Sequence, residues 1–189
     1  MPHLELSVEI DMARCMALQD ASTEAILVRA CALALREHPR ANGSYRDGHF
    51  ELYSRVNVGV VVASEDTYLI PTAFDADRKP LAELSAELDQ LIGDARDGQL
   101  ASSAFSGATF TLWDASADGV RSATIPPVPP QAAALAVGAV HEVAVLRGGQ
   151  LTAATSMIAT LACDHRILYG ARATDFLNAI SSRLALGDW

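Results

Sequence analysis

The apolar run from Leu151 to Leu161 reads as one long β-strand, and the segment after it sets the architecture. Phe176, Leu177, Ile180 and Leu184 recur at helical spacing, so the stretch from about Ala171 to Leu184 reads as an amphipathic helix. Between the two sits a charged triplet, Asp164-His165-Arg166. A chain that must bury a long strand and the helix next to it in sequence commits to sheet-against-helix packing. The triplet is then left at the end of a strand, where a polar side chain can be held by backbone contacts and still face a pocket.

The rest of the chain alternates in the same way. His3 to Ile10 places Leu4, Leu6, Val8 and Ile10 at every second position, the pattern of a half-buried strand. Ser22 is placed to cap a helix over Ala25 to Glu37, which Pro39 ends. Asp47-Gly48, inside Tyr45 to Phe50, is a tight hairpin signal, and Gly148-Gly149 is another. Val56 to Ala63 and Tyr68 to Phe74 read as two strands joined by a polar turn at Ser64-Glu65-Asp66. Pro80 opens a helix whose apolar face is Leu81, Leu84, Leu88, Leu91 and Ile92, closed by Gly98. Thr109 to Trp113, Ala133 to Val137 and Val140 to Leu146 complete the strands, and Ala115 to Pro130 reads as an ordered surface loop. Strands and helices interleave without strict β-α-β order, so the expected fold is α+β, a mixed sheet with flanking helices.

Of 189 residues, half are apolar, enough to fill one core, and residues 1–189 are expected to form a single domain. A net charge of −9 argues against nucleic acid or an anionic membrane surface as partner. Cys15, Cys31 and Cys163 follow no metal-ligand spacing and form no even disulfide set, so buried free thiols and no metal site are expected. No leader pattern opens the chain and no apolar run reaches membrane-spanning length, which predicts a cytoplasmic protein.

His165 is the strongest chemical candidate. A histidine ordinarily titrates near ~6.5, which suits it to take a proton from a thiol or hydroxyl at neutral pH. The competing reading is a hydrogen-bonded structural histidine. Asp164 and Arg166 flank it, and a local ion pair would account for both.

The stretch Asp164-His165-Arg166-Ile167-Leu168-Tyr169-Gly170-Ala171 resembles the D-H-R-x-x-D-G-A signature of the catalytic domain of 2-oxoacid dehydrogenase acyltransferases. The likeness runs through the chain. Pro2-His3 with Val8-Glu9-Ile10-Asp11 resembles that family's opening, and Ala32-Leu33-Ala34-Leu35-Arg36-Glu37-His38-Pro39 its first helix end. Arg55-Val56-Asn57-Val58-Gly59-Val60, Phe74-Asp75-Ala76-Asp77-Arg78-Lys79, Gly107-Ala108-Thr109-Phe110-Thr111-Leu112 and Pro129-Pro130-Gln131 come next, in order. The Asp75 to Lys79 charges read as an exposed turn before a helix. The resemblance implies a chloramphenicol acetyltransferase-like fold and a homotrimer with active sites between subunits. It also implies acyl transfer from a thioester, with His165 as general base, a hydroxyl stabilising the oxyanion, and Asp164, Arg166 and Asn57 supporting the site. No covalently bound cofactor is implied; acyl-coenzyme A or an acyl-carrier protein would be the donor substrate.

Two positions depart from that pattern. Ungapped matching sets Trp113 where the family has its serine, with Thr111 and Ser116 nearby but out of register, and Tyr169 where it has an aspartate. An indole N–H can donate a hydrogen bond, whereas a phenol adds no charge near neutral pH. Trp113 and Tyr169 also have plain packing readings. No segment resembles the family's lipoyl or peripheral-subunit-binding domains, and the Met12 to Ser22 connection reads as shortened. The expectation is a stand-alone acyltransferase moving an acetyl or short acyl group to a small hydroxyl or thiol acceptor, as in natural-product biosynthesis. The competing expectation is a catalytically degenerate trimeric module for binding or assembly.

Overall fold

The structure, a computed structural model, describes residues 2–18, 20–64 and 67–189. In chain order its elements are β1 (His3–Asp11), α1 (Ala13–Met16), α2 (Thr23–Glu37), β2 (Gly43–Arg46), β3 (His49–Leu52), β4 (Val58–Val60), β5 (Val62–Ser64), β6 (Thr67–Leu69), β7 (Thr72–Ala73), α3 (Leu81–Arg96), β8 (Phe110–Asp114), β9 (Ala133–Val137), β10 (His141–Arg147), β11 (Gln150–Asp164) and α4 (Gly170–Leu186). The main sheet runs β7-β4-β8-β9-β11-β1, with β10 pairing β11 beyond β9. Pairing of β4 with β8 and of β8 with β9 is parallel, and the rest is antiparallel, so the sheet is mixed as expected.

Alternation in β1 works as the sequence suggests: Leu4, Leu6 and Val8 pack on the core beneath α4, while Glu5, Ser7 and Glu9 point away. Helices α2, α3 and α4 form one layer, with α2 between the other two. Leu27 and Leu35 of α2, Leu84 and Leu88 of α3, and Phe176 and Ile180 of α4 meet Phe110, Leu112, Leu135 and Leu161 of the sheet. Phe110 and Phe176 touch edge to face at 5.9 Å. Burying each such side chain stabilises the fold by about 1.5–3 kcal/mol. Ser22 Oγ accepts from the Ala25 N–H at 3.2 Å, so the α2 cap read from sequence is formed.

Asp47 and Gly48, with φ of 49° and 83°, make the β2–β3 turn, and the positive pair is what a two-residue hairpin needs. Segments β9 and β10 lie one after the other along β11. Between the pairs Val137–Ala159 and His141–Ser156 lie three residues on one side and two on the other, a β-bulge. It carries Gly138, where a Cβ would sit 2.0 Å from the Arg121 carbonyl oxygen. The expected loop 115–130 crosses this outer face, with Ala139 N–H bonded to Val120 O and Thr124 Oγ1 donating to Glu5 Oε1.

Three expectations need correction. Val56 to Ala63 is not one strand: β4 belongs to the main sheet, and β5 pairs with β6 in a separate two-stranded ribbon. Tyr68 to Phe74 divides likewise into β6 and β7. Pro71 lies at the break; it accepts from the Val60 N–H but has none to return, so β4–β7 pairing stops after two residue pairs. Glu65 and Asp66 of the expected turn lie outside the described residues. The Met12 to Ser22 connection holds the one-turn helix α1, whose Cys15 is buried. The Asp75 to Lys79 segment is held rather than free. Asp75 pairs with Arg55, Asp77 (side chain 5% exposed) with Arg36, and Lys79 with Glu87, while Arg29 donates to the Ala76 and Asp77 carbonyls.

Candidate functional site

Asp164 closes β11, and the turn after it is pinned on all sides. Its N–H binds Ala132 O at 2.8 Å, and its own carbonyl accepts from Ile167 and Leu168, whose side chains are buried. The His165 N–H donates to Pro2 O at 3.0 Å, tying the turn to the chain start. The Asp164 carboxylate accepts from Arg166 three ways: backbone N–H (3.0 Å), Nε (3.0 Å) and Nη2 (2.6 Å). Burial by itself pushes this carboxyl up, but the Arg166 hydrogen bonds and charge outweigh burial and hold it below the usual carboxylate range. The Arg166 guanidinium lies 4.3 Å over the Tyr45 ring, a stacking contact that fixes its plane. With the backbone so constrained, the His165 side chain stands exposed at the turn.

Tyr169 begins α4 as its N-cap residue, 46% exposed, its ring edge-on to His165 at 6.3 Å. Here Tyr169 is neither core packing nor a cap through its side chain; it flanks the histidine.

Asn57 is engaged with the backbone on two sides. Its Nδ2 donates to Gly107 O at 2.8 Å and its Oδ1 accepts from the Asp75 N–H at 3.0 Å, while Thr109 bonds both its N–H and its carbonyl. This knot forms one wall of a cavity of about 580 Å³ lined also by Tyr53, Arg55, Phe105, Thr111 and Gln131. Thr111 Oγ1 donates to Gln131 Oε1 at 2.7 Å, both buried.

Trp113, near the C-terminal end of β8, is half-buried and packs edge to face with Tyr68 at 6.0 Å. It borders a second cavity, about 180 Å³, together with Val60, Val62, Ile92 and Arg96. Trp113 and His165 are far apart in one chain. Trp113 pairs with Ala136 and Ala136 with Thr160, five residues before His165. At about 3.3 Å per residue and 4.8 Å per strand, two strands over, the separation is roughly 19 Å. Asp164, His165, Arg166 and Tyr169 therefore form one cluster, with Trp113 toward the opposite end of the sheet.

The three thiols are buried. Burial pushes Cys15 and Cys163 up to about 11 and Cys31 up to about 12, so none supplies a thiolate near neutral pH. Among the described residues no group of three or more His, Cys, Asp or Glu side chains is arranged for a metal ion, and no helix is long and apolar enough to cross a membrane. The contact of Tyr45 with Arg166 and that of Gln131 with Thr111 are not legible in the sequence. Both contacts join segments distant along the chain, and nothing local signals them.

The family model described as 2-oxoacid dehydrogenases acyltransferase (catalytic domain) matches residues 1–186. The chain belongs to that family. It is 31% identical over 191 residues to the dihydrolipoyllysine-residue acetyltransferase component of the pyruvate dehydrogenase complex of Rickettsia bellii, covering 94% of this chain and 46% of that protein. It thus spans about half the length of that curated relative. Among solved structures it superposes on the Azotobacter vinelandii dihydrolipoamide acetyltransferase with a TM-score of 0.91 at 28% identity, over 97% of this chain and 82% of the other. That structure belongs to a crystallographic and enzymatic investigation of a serine, a histidine and an asparagine in the catalytic mechanism. Chloramphenicol acetyltransferase shares the fold, with a TM-score of 0.63 at 15% identity over 97% of this chain and 88% of that one. The expected fold class is the observed one.

Proposed function

We propose that the chain is an acyltransferase in which His165 acts as general base, moving an acetyl or short acyl group from a coenzyme A or carrier-protein thioester to a small thiol or hydroxyl acceptor. The observation that carries this reading is the pinned turn, with Asp164 clamped by Arg166 and the imidazole left facing outward. An immobile backbone with an exposed base meets the geometric need of proton abstraction without further rearrangement. In the Azotobacter protein the studied serine precedes the histidine by 52 residues and the asparagine comes four after it. The same spacings from His165 fall on Trp113 and Tyr169, supporting an equivalent arrangement with both partners changed.

The roughly 19 Å between His165 and Trp113 in one chain supports a site shared between copies, His165 of one facing the Trp113 end of another. A homotrimer is the assembly this reading takes. The donor is a substrate and nothing is bound covalently. The acceptor is a small molecule seated against the walls of the larger cavity, residues 1–189 form one catalytic domain, and biosynthesis of a small molecule is the role this reading takes.

Replacement of the serine and of the asparagine favours a second reading, a degenerate trimeric binding or assembly module. One experiment separates the two: thiol release from acetyl-coenzyme A with dihydrolipoamide or small alcohols, parent against His165→Ala. Acceptor-dependent release in the parent, reduced at least 10³-fold in the variant, is expected for a base of this kind. A trimer with no release in either protein leaves the binding module.

A further inference from the structure

The cavity of about 580 Å³ is walled by Arg46 and Arg55 and, among the described residues, by no Asp or Glu, in a chain whose net charge is −9. Arg55 is charge-balanced: the Asp75 carboxylate accepts from its Nε at 2.9 Å and its Nη2 at 2.6 Å. Arg46 is not; among the described residues no carboxylate pairs with it. The buried polar side chains of the wall are already hydrogen-bonded within the protein. Asn57 holds Gly107 and Asp75, Thr109 holds Asn57, Thr111 donates to Gln131, and Gln131 Nε2 donates to Ala108 O at 3.2 Å. The rest of the wall is apolar, with Ile70, Phe105, Val128 and two prolines, apart from the Tyr53 and Ser54 hydroxyls. The volume lies in the range of small-molecule sites. The cavity also adjoins the turn that carries His165. Gln131 precedes Ala132, whose carbonyl accepts from the Asp164 N–H, and Arg46 follows Tyr45, on which Arg166 stacks.

We propose that the acceptor is a carboxylate-bearing thiol or alcohol with an apolar body, its carboxylate held by Arg46; this rests on the acyl-transfer reading above and names its substrate class. The guanidinium offers N–H donors in a planar fork that matches a carboxylate. The body lies against Phe105, Ile70 and Val128, since the buried polar atoms of the wall are taken by one another and by the backbone. The ligand carries a single negative charge, because one unbalanced guanidinium neutralises one. A phosphate dianion leaves its second charge facing a chain that is acidic as a whole, and an ammonium is repelled. In the transfer the acceptor's sulfur or oxygen bonds to the thioester carbonyl carbon, and the donor's carbon–sulfur bond breaks. The acceptor's proton passes through His165 to the departing thiolate, and the carboxylate is unchanged throughout.

The probes are dihydrolipoate and dihydrolipoamide, which share their thiols and chain and differ only in a charged or neutral head. The full chain is assayed with acetyl-coenzyme A near neutral pH, where the acid is ionised, by formation of the S-acetyl product. Parent, Arg46→Gln, Phe105→Ala and His165→Ala are compared, with a thermal melt of each. Expected in the parent is a kcat/KM about tenfold higher for the acid than for the amide, carried by KM, the effect of one charge-assisted hydrogen bond. That ratio should fall to near one in Arg46→Gln and persist in Phe105→Ala, where KM rises for both acceptors. A ratio near one in the parent, with turnover that depends on His165, overturns the anionic acceptor and leaves the acyl-transfer reading standing. A ratio that survives in Arg46→Gln likewise overturns the assignment. Where neither acceptor gives His165-dependent product, calorimetric titration with octanoate decides. Binding that weakens about tenfold in Arg46→Gln keeps the carboxylate site and overturns the acyl-transfer reading; no such binding overturns both.

Discussion

Asn57→Ala tests whether the site wall is a matter of architecture or of direct chemistry. The residue is 6% exposed, and its side chain makes two hydrogen bonds to backbone, donating to Gly107 O and accepting from the Asp75 N–H. Alanine leaves the Gly107 carbonyl and the Asp75 N–H without their protein partner on the cavity wall. Each unsatisfied group costs about 1–3 kcal/mol, and part is recovered by relaxation, giving about 2–4 kcal/mol in total. Asp75 holds a φ of 49° in this turn, so losing the bond to its N–H also removes a restraint on a backbone conformation that non-glycine residues seldom adopt. At about 2 cal/mol/K of unfolding entropy per residue, a chain of this length loses roughly 5–10 °C in Tm. Differential scanning calorimetry at fixed protein concentration measures this, and thioester turnover well below the melt measures chemistry separately. The expected pair is a lowered Tm with turnover per folded molecule within about tenfold of parent. A Tm within 1 °C of parent, or an unchanged Tm with turnover abolished, refutes the backbone-anchor reasoning.

The Asp164 carboxyl is held below its usual range when folded, so its contribution is fully present above the unfolded value near ~3.9 and is lost as pH falls toward the folded one. The stability gap between parent and Asp164→Asn, tracked by urea melts from pH 6 to pH 3, should therefore narrow with acid, and a constant gap contradicts the assignment. Gly138→Ala forces a Cβ to within 2.0 Å of the Arg121 carbonyl, so the 115–130 loop must lift. Limited proteolysis should cut that loop faster than in the parent. Gly93→Ala, with open space around it inside α3, should leave cleavage unchanged and raise stability by about 0.5–1 kcal/mol.

Period and punctuation in the chain were enough for the α+β architecture. Alternation in His3 to Ile10, the Ser22 cap, the Asp47-Gly48 turn and the helical face of α4 are all local signals, and each element formed where its residues called for it. The candidate turn was legible for the same reason: Asp164, His165 and Arg166 are adjacent, and their pairing needs only a few residues of chain. The division of Val56 to Ala63 between two sheets was not legible. Its five valines favour a strand throughout, and which partner the Val60 and Val61 N–H groups find depends on Pro71 and Leu112, brought alongside only by folding. Asn57 and Trp113 mark the same boundary from the functional side. The sequence determined that an amide and an indole stand at those positions. Only the tertiary structure decided that the amide is taken up by Gly107 and Asp75 and that the indole packs edge to face with Tyr68, because a contact belongs to whichever groups the fold brings together.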